Sequence, residues 1–485
     1  MEIKILSKAL AFLLSVVTGF MALCMLFGLL DKEGVQVLIA FGPSLALGLL
    51  CFLPAAFLLR IKRGASLSNR SGYLFVVLAW LLASLVGALP YCFYKSVPAL
   101  PDAIFETMSG FTTTGASVIT EIEALPRSIL LWRAMTHWLG GMGIVVLTVA
   151  IFPFLGFKGR AVMEAESPGP QVDKITPRLS QTAKIMWLIY LGLTVILTIL
   201  LMFGGLSLFD SIAHAFAAMA TGGFSTRNAS VGAYDSAYVD GMLTAFMILA
   251  GMNFSLYWKL LRGQALSVLR DTELRVYLAI FATASLVISW NLFSNASYGS
   301  FIKAFRYASF QVSSILTTTG SATADYTKWP ALSQSIIFTL MFIGGCAGST
   351  SGGPKVSRIV TLFKMGLSEM RYLLNPRGVY GVFVDGKYQR KYYVYDIAAM
   401  VFLYLMSAFA STLVVSAFGY DVLSSLTATM ACLGNIGPGF GLVGPASNFG
   451  FMPGALKLWL SFIMLLGRLE VYTVLVLFTK SFWDK

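Results

Sequence analysis

Thr112-Thr113-Thr114-Gly115-Ala116-Ser117 returns late in the chain as Thr317-Thr318-Thr319-Gly320-Ser321-Ala322. Between them lies Ala220-Thr221-Gly222-Gly223-Phe224-Ser225, and near the end comes Gly434-Asn435-Ile436-Gly437-Pro438. Each copy follows a short semi-apolar run and sits between two long hydrophobic segments. Laid without gaps, the first two copies set Gly115 opposite Gly223, with Asp102 and Asp210 equally far upstream. A spacing of roughly 100 residues marks one unit repeated about four times.

Composition supplies the setting. Hydrophobic residues make up 57% of the 485 and charged residues 12%, about half the charged share usual in soluble proteins. Several runs of about 20 apolar residues predict a polytopic helical membrane protein. The first run, near 9–30, reads as a retained helix, because a second apolar run follows at Val35 without a cleavage site or polar mature domain. The formal charge of +13 sits in connections between spans and speaks for topology rather than nucleic acid. Cys24, Cys51, Cys92, Cys346 and Cys432 lie in apolar or Gly-rich surroundings without paired spacing, which argues against disulfides and metal ligation. No phosphate-cradling or HExxH motif is present, and His137 and His214 are too few for a metal cluster.

Non-helical backbone at membrane depth is tolerated only where protein buries it or water wets it. Glycine permits conformations that turn successive carbonyls toward an axis. Four such turns around one axis would replace a cation's water shell with carbonyl oxygen. The expected fold is therefore an all-α integral membrane protein with four parallel pseudo-repeats of helix, pore helix, filter loop and helix around a central pore. Residues 1–70 form a preceding pair of transmembrane helices, and the repeats span 71–184, 185–275, 276–393 and 394–485. Pro101-Asp102 opens the first short helix, since Pro suits a first turn and an acid suits the positive end of the dipole. Arg60, Lys62, Arg63 and Arg70 place the first basic loop, and the amino terminus, in the cytoplasm. The later basic connections fall on that same side, against the inverted repeats expected of an amino-acid or sugar carrier. Asp102, Glu106, Glu121, Glu123, Asp325 and Asp421 would give an acidic outer vestibule.

Two further stretches carry chemistry. Gly344-Gly345-Cys346-Ala347-Gly348-Ser349-Thr350-Ser351-Gly352-Gly353-Pro354 cannot hold a helix, since each Gly costs about 1 kcal/mol and Pro about 3. A helix begun near Ile336 should break there and resume near Val356, with Lys355 and Arg358 anchoring the inner end at the interface. Arg468, deep in the last apolar span, is a functional candidate by default, and Glu470 faces elsewhere on the same helix.

These turns resemble the TrkH/KtrB family of K+ transporters over essentially the whole chain, and the leading helical pair is more similar to the TrkH side. The resemblance implies a K+ filter, also admitting Rb+, at Thr113, Thr114, Gly115, Thr221, Gly222, Gly223, Thr318, Thr319, Gly320, Asn435, Ile436 and Gly437. Gly222 is the alternative marker if unit two slips by one residue. Unit four departs from the Thr-Gly pattern, so the ring should be asymmetric. The resemblance further implies that 344–354 is an intramembrane gating loop, with Arg468 an internal barrier below the filter. It implies a homodimer in the bacterial inner membrane, a cytosolic TrkA-like ring of nucleotide-binding regulatory subunits, and no bound cofactor or enzymatic activity. The alternative use of the same filter is a symporter coupling K+ to H+ or Na+.

Overall fold

The computed structural model describes residues 2–58, 65–97, 99–143, 157–158 and 179–484. The basic residues Arg60, Lys62 and Arg63, residues 144–156 beyond α5, and the connection 159–178 with Arg160, Lys174 and Arg178 lie outside the described residues.

Helices α1 (Glu2–Leu30) and α2 (Gln36–Leu58) pack as a pair against α3 (Asn69–Tyr94). From α3 onward the same order of elements occurs four times. Unit one is α3, the short α4 (Leu100–Phe111) and α5 (Arg127–Gly141). Unit two is α6 (Leu179–Phe203), the short α7 (Leu208–Met219), then α8 (Ala237–Ala250) and α9 (Phe254–Leu261), followed by α10 (Ala265–Leu269). Unit three is α11 (Thr272–Ser294), the short α12 (Phe301–Leu316), α13 (Ala331–Leu340) and α14 (Val356–Leu374). Unit four is α15 (Lys391–Ser416), the short α16 (Val422–Leu433), α17 (Gly454–Arg468) and α18 (Tyr472–Leu475), and α19 (Lys480–Trp483) ends the chain. Among the described residues, six helices are long and apolar enough to cross a membrane, and eight if each of two bent pairs is counted as one span. Strands are confined to two-residue pairs: β1 (Ala65–Ser66) on β2 (Phe157–Lys158), and β3 (Phe383–Val384) on β4 (Lys387–Tyr388). The β3–β4 hairpin turns through Asp385 and Gly386, both with positive φ, as a two-residue hairpin turn requires.

Local chemistry starts each short helix where the sequence does. Pro101 sits in the first turn of α4, while Ser207, Ser300 and Asp421 accept backbone N–H bonds from Asp210, Lys303 and Ser424 at the heads of α7, α12 and α16. These caps satisfy backbone donors that the first turn of a helix leaves unpaired. All four short helices then bury their C-terminal ends.

The inner helices differ from the sequence expectation. A break was expected only in unit three, between Ile336 and Val356, and it lies there, with α13 ending at Leu340 and α14 starting at Val356. The α8–α9 pair also bends, by 93°, and the residues from Tyr472 onward bend from α17 by 114°. The physical reason is contact with the short helices. A Cβ on Gly140 would meet Phe111 O at 1.8 Å, one on Gly467 Leu433 O at 1.9 Å, and one on Gly251 the Cγ2 of Thr317, the C-cap of α12, at 2.8 Å. Glycine admits this close approach, and the inner helix gives up its regular course around that point.

Gly140→Ala should therefore lower the thermal unfolding midpoint in detergent, with a destabilisation of about 2 kcal/mol from overpacking. Gly192→Ala in α6, where nothing lies within 4 Å of the added Cβ, should leave the midpoint unchanged or raise it slightly.

Candidate ion pathway and gate

The four turns adopt one backbone pattern. Thr113, Thr221, Thr318 and Asn435 have φ of +55°, +53°, +57° and +52°, and two residues later Gly115, Gly223, Gly320 and Gly437 have φ of +80°, +79°, +80° and +94°. Left-handed residues two apart reverse the sense of the chain twice, which aligns intervening carbonyls on one side. Non-glycine residues in this region are strained by about 1–3 kcal/mol and persist where the surroundings over-determine them. Here the surroundings are visible. Thr113 and Thr221 each turn their hydroxyl onto the preceding carbonyl at 2.7 Å, Thr318 Oγ1 accepts from Gly352 N at 2.6 Å, and Asn435 Nδ2 donates to Thr114 Oγ1 and Met464 O at 3.0 Å each.

The turns also close on one another. A Cβ on Gly115 would meet Gly222 O, one on Gly223 Thr319 O and one on Gly320 Ile436 O, each at 2.1 Å. A Cβ on Gly437 would meet Thr114 O at 2.7 Å, which returns the sequence to unit one. The ring is thus Thr114, Gly222, Thr319 and Ile436 carbonyls, each set against the glycine of the preceding unit, with unit four preceding unit one. Gly223 carries the positive φ and Gly222 supplies the carbonyl, so unit two aligns without the one-residue slip. The wider contact at Gly437 is the asymmetry expected of unit four. Each short helix points its C-terminal, partially negative end at this ring, a favourable field for a cation.

A cavity of about 160 Å³ lies at the ring's mouth, lined by Gly115, Gly223, Gly320 and Gly437 together with Arg133 and Arg227. The acidic vestibule expected from sequence is absent from this lining among the described residues. The acids are used locally instead. Asp102 pairs with Lys457 at 2.9 Å, Glu123 accepts from Asn228 N at 2.8 Å, Asp325 caps Thr327, Asp421 caps α16, and Glu106 is fully buried.

The stretch 344–354 forms a closed loop beside the ring. Gly344 N donates to Pro354 O at 2.7 Å and Val356 N to Gly345 O at 3.1 Å, joining its two ends. Cys346 N donates to Gly251 O at 2.8 Å, and Thr350 Oγ1 to Met219 O at 3.0 Å and Ala250 O at 3.2 Å, which tie the loop to unit two. A Cβ on Gly352 would meet Gly434 O at 2.5 Å, so the loop also abuts unit four. Arg468 donates to Thr350 O at 2.8 Å, Gly140 O at 2.7 Å and Gly141 O at 2.8 Å. One guanidinium therefore joins units one, three and four below the ring, and carbonyl oxygens disperse its charge.

Three partners escaped the sequence. Glu273, at the head of α11, accepts from Ala347 N at 2.7 Å and Ser357 N at 2.9 Å, holding both limbs of the loop. Lys355 and Arg358, expected at the interface, are buried: Lys355 donates to Ser351 O and Arg358 pairs with Glu470. The helix break after Arg468 frees Glu470 from the helical register that sequence reasoning assumed. No local spacing signals the Glu273 and Glu470 contacts, because Glu273 lies 74 and 84 residues from its partners and Glu470 lies on a different unit from Arg358.

A family model described as TrkH, cation transport protein, matches residues 46–485. The chain belongs to the TrkH family. It is 38% identical over the whole of both chains to the Trk system potassium uptake protein TrkH of Escherichia coli K12. It is also 38% identical to TrkH of Vibrio parahaemolyticus, with 93% of each chain covered. A solved structure, the potassium transporter TrkH from Vibrio parahaemolyticus, superposes with a TM-score of 0.88 at 35% identity over 100% of both chains. As in other TrkH-family proteins, the chain is a multi-pass membrane transport protein rather than an enzyme.

Gly320→Ala places a Cβ against Ile436 O in a left-handed residue and should reduce cation flux into proteoliposomes by about tenfold or more. Gly366→Ala in α14, with open space around the added Cβ, should transport as the parent does.

Proposed function

We propose that this chain conducts K+, and also Rb+, through the ring of the four turns, with 344–354 as its gate. The closed cycle of carbonyls against glycines carries the reading. Thr114, Gly222, Thr319 and Ile436 present backbone oxygen in the manner that strips a hydrated cation, and the potassium uptake proteins named above align along 93 to 100% of the chain. Thr113, Gly115, Thr221, Gly223, Thr318, Gly320, Asn435 and Gly437 hold those oxygens in place. The units 71–184, 185–275, 276–393 and 394–485 run parallel around the pore, with 1–70 packed outside.

Below the ring the loop obstructs passage, and Arg468 adds a positive barrier that repels cations while fastening the loop. Opening requires the Arg468 bonds to Thr350 and the Glu273 bonds to Ala347 and Ser357 to loosen together. A cytosolic TrkA-like regulatory ring supplies that work through the basic surfaces at 156–184, 258–275 and 371–391, acting on a homodimer in the bacterial inner membrane with cytoplasmic amino termini. Flow is passive. The carboxylates at the gate are both engaged, Glu273 by Ala347 N and Ser357 N and Glu470 by Arg358, which supports a channel over a symporter with a proton-carrying acid.

In liposomes reconstituted with purified protein, K+ flux driven by membrane potential should persist when H+ and Na+ gradients are collapsed. Arg468→Gln should raise it on the order of tenfold, from the loss of charge-assisted bonds that hold the gate shut. Flux that stops without a second ion's gradient would leave the symporter. Flux that falls in Arg468→Gln would remove the residue from the gate.

A further inference from the structure

The residue nine positions before the ring glycine differs in every unit: Glu106, His214, Gln311 and Ala428. Each position looks out from a short helix toward the chain that follows its own turn. Gln311 Nε2 donates to Ala324 O at 3.1 Å, and His214 Nε2 lies 3.2 Å from the Tyr234 hydroxyl. In unit four, where alanine stands, the neighbouring Thr427 Oγ1 takes over, donating to Phe440 O and accepting from Phe440 N at 3.0 Å each. Unit one alone uses a charge here.

Glu106 has no exposed surface, and its partner Arg133 on α5 is 3% exposed. The carboxylate accepts from Val118 N at 2.9 Å and from Ser117 Oγ at 3.0 and 3.1 Å, and Arg133 Nε donates to it at 2.7 Å. Arg133 Nη1 then donates to Ser225 O at 2.8 Å, and its guanidinium lies 3.6 Å from the centre of the Phe224 ring. Phe224 is sandwiched, because His137 stacks on it at 3.9 Å. One buried ion pair thus fixes residues 117–118, just past Gly115, to residues 224–225, just past Gly223.

A buried charge pair is a poor source of net stability, since desolvation offsets much of the attraction. Its use lies in geometry: a planar guanidinium and a carboxylate hold directions more strictly than a neutral amide or hydroxyl. Carbonyls gathered in a ring repel one another, so their spacing must be imposed from behind. A smaller cation such as Na+ is excluded only while that spacing resists contraction.

We propose that Glu106 and Arg133 are positioning residues that set K+-over-Na+ selectivity by bracing the unit-one and unit-two quarter of the ring. The proposal rests on the filter reading above. The pair touches no ion; it acts through Val118, Ser117, Phe224 and Ser225. Units three and four, where the chain just past the turn is held by the neutral bonds of Gln311 and Thr427, contribute the compliant side.

The test is the K+:Na+ flux ratio of the purified full-length protein in potential-driven liposomes, measured beside the thermal midpoint of each variant. Glu106→Gln and Arg133→Lys, which keeps the charge but loses the fork, should each lower the ratio on the order of tenfold while K+ still passes. Glu106→Gln with Arg133→Gln should lower it no further than either single change, as expected of residues acting as one unit. If Glu106→Gln does not fold because Arg133 is left buried and unpaired, the double variant, with no stranded charge, carries the test. A folded variant whose ratio stays within about twofold of the parent overturns the proposal, as do single losses that simply add in the double. Gly320→Ala serves as the reference. Should it leave the ratio unchanged as well, the filter reading itself falls; should it alone shift the ratio, only the bracing does.

Discussion

Everything in this fold follows from bringing four bare stretches of backbone to one axis inside a membrane. Water cannot satisfy those peptide groups from the lipid side, and a β-carbon on any ring glycine would fall 2.1 to 2.7 Å from a neighbour's carbonyl. Only glycine tolerates that contact together with a left-handed φ. Once the glycines meet, the short helices must end at the ring. The inner helices must then press against their C-termini through Gly140, Gly251 and Gly467, and the long outer helices shield the assembly. The order of elements is the consequence of one close approach made four times.

The loop and its clamps extend the same logic below the ring. Residues 344–354 give up helical bonds, and their amides and carbonyls are met by Gly251, Ala250, Met219, Glu273 and Arg468 from three different units. The loop is thus held in one defined conformation by many partners of moderate strength, and no single bond dominates. Glu470 offsets the charge of Arg358, and Lys355 is met by the Ser351 carbonyl.

Much of this was legible in the chain. The Thr-Gly repetition fixed the four turns and their order, Pro101 and Asp421 marked helix heads, and the glycines with Pro354 located the unit-three break within a few residues. The alternation of left-handed Thr113, Thr221, Thr318 and Asn435 was not legible, since a threonine in that conformation has no compositional mark. The bends after Ala250 and Arg468 escaped because Gly251 and Gly467 are ordinary in apolar spans until a facing carbonyl is seen. Glu106 read as a vestibule acid because its position along the chain is right. Its partner Arg133 lies in another helix and also binds Ser225 of unit two, which only three dimensions bring together. Long-range pairs of this kind are the part of a site that periodicity and local motifs do not encode.

The unit-four turn, Asn435-Ile436-Gly437-Pro438, has a consequence for heredity. In a ring assembled from four identical chains, a single codon change strikes every quarter at once, and an intolerable step is quadrupled. Here one gene writes each quarter separately, so a turn can drift to isoleucine and proline while its three counterparts stay as they are. The ring is therefore open to change in quarter steps.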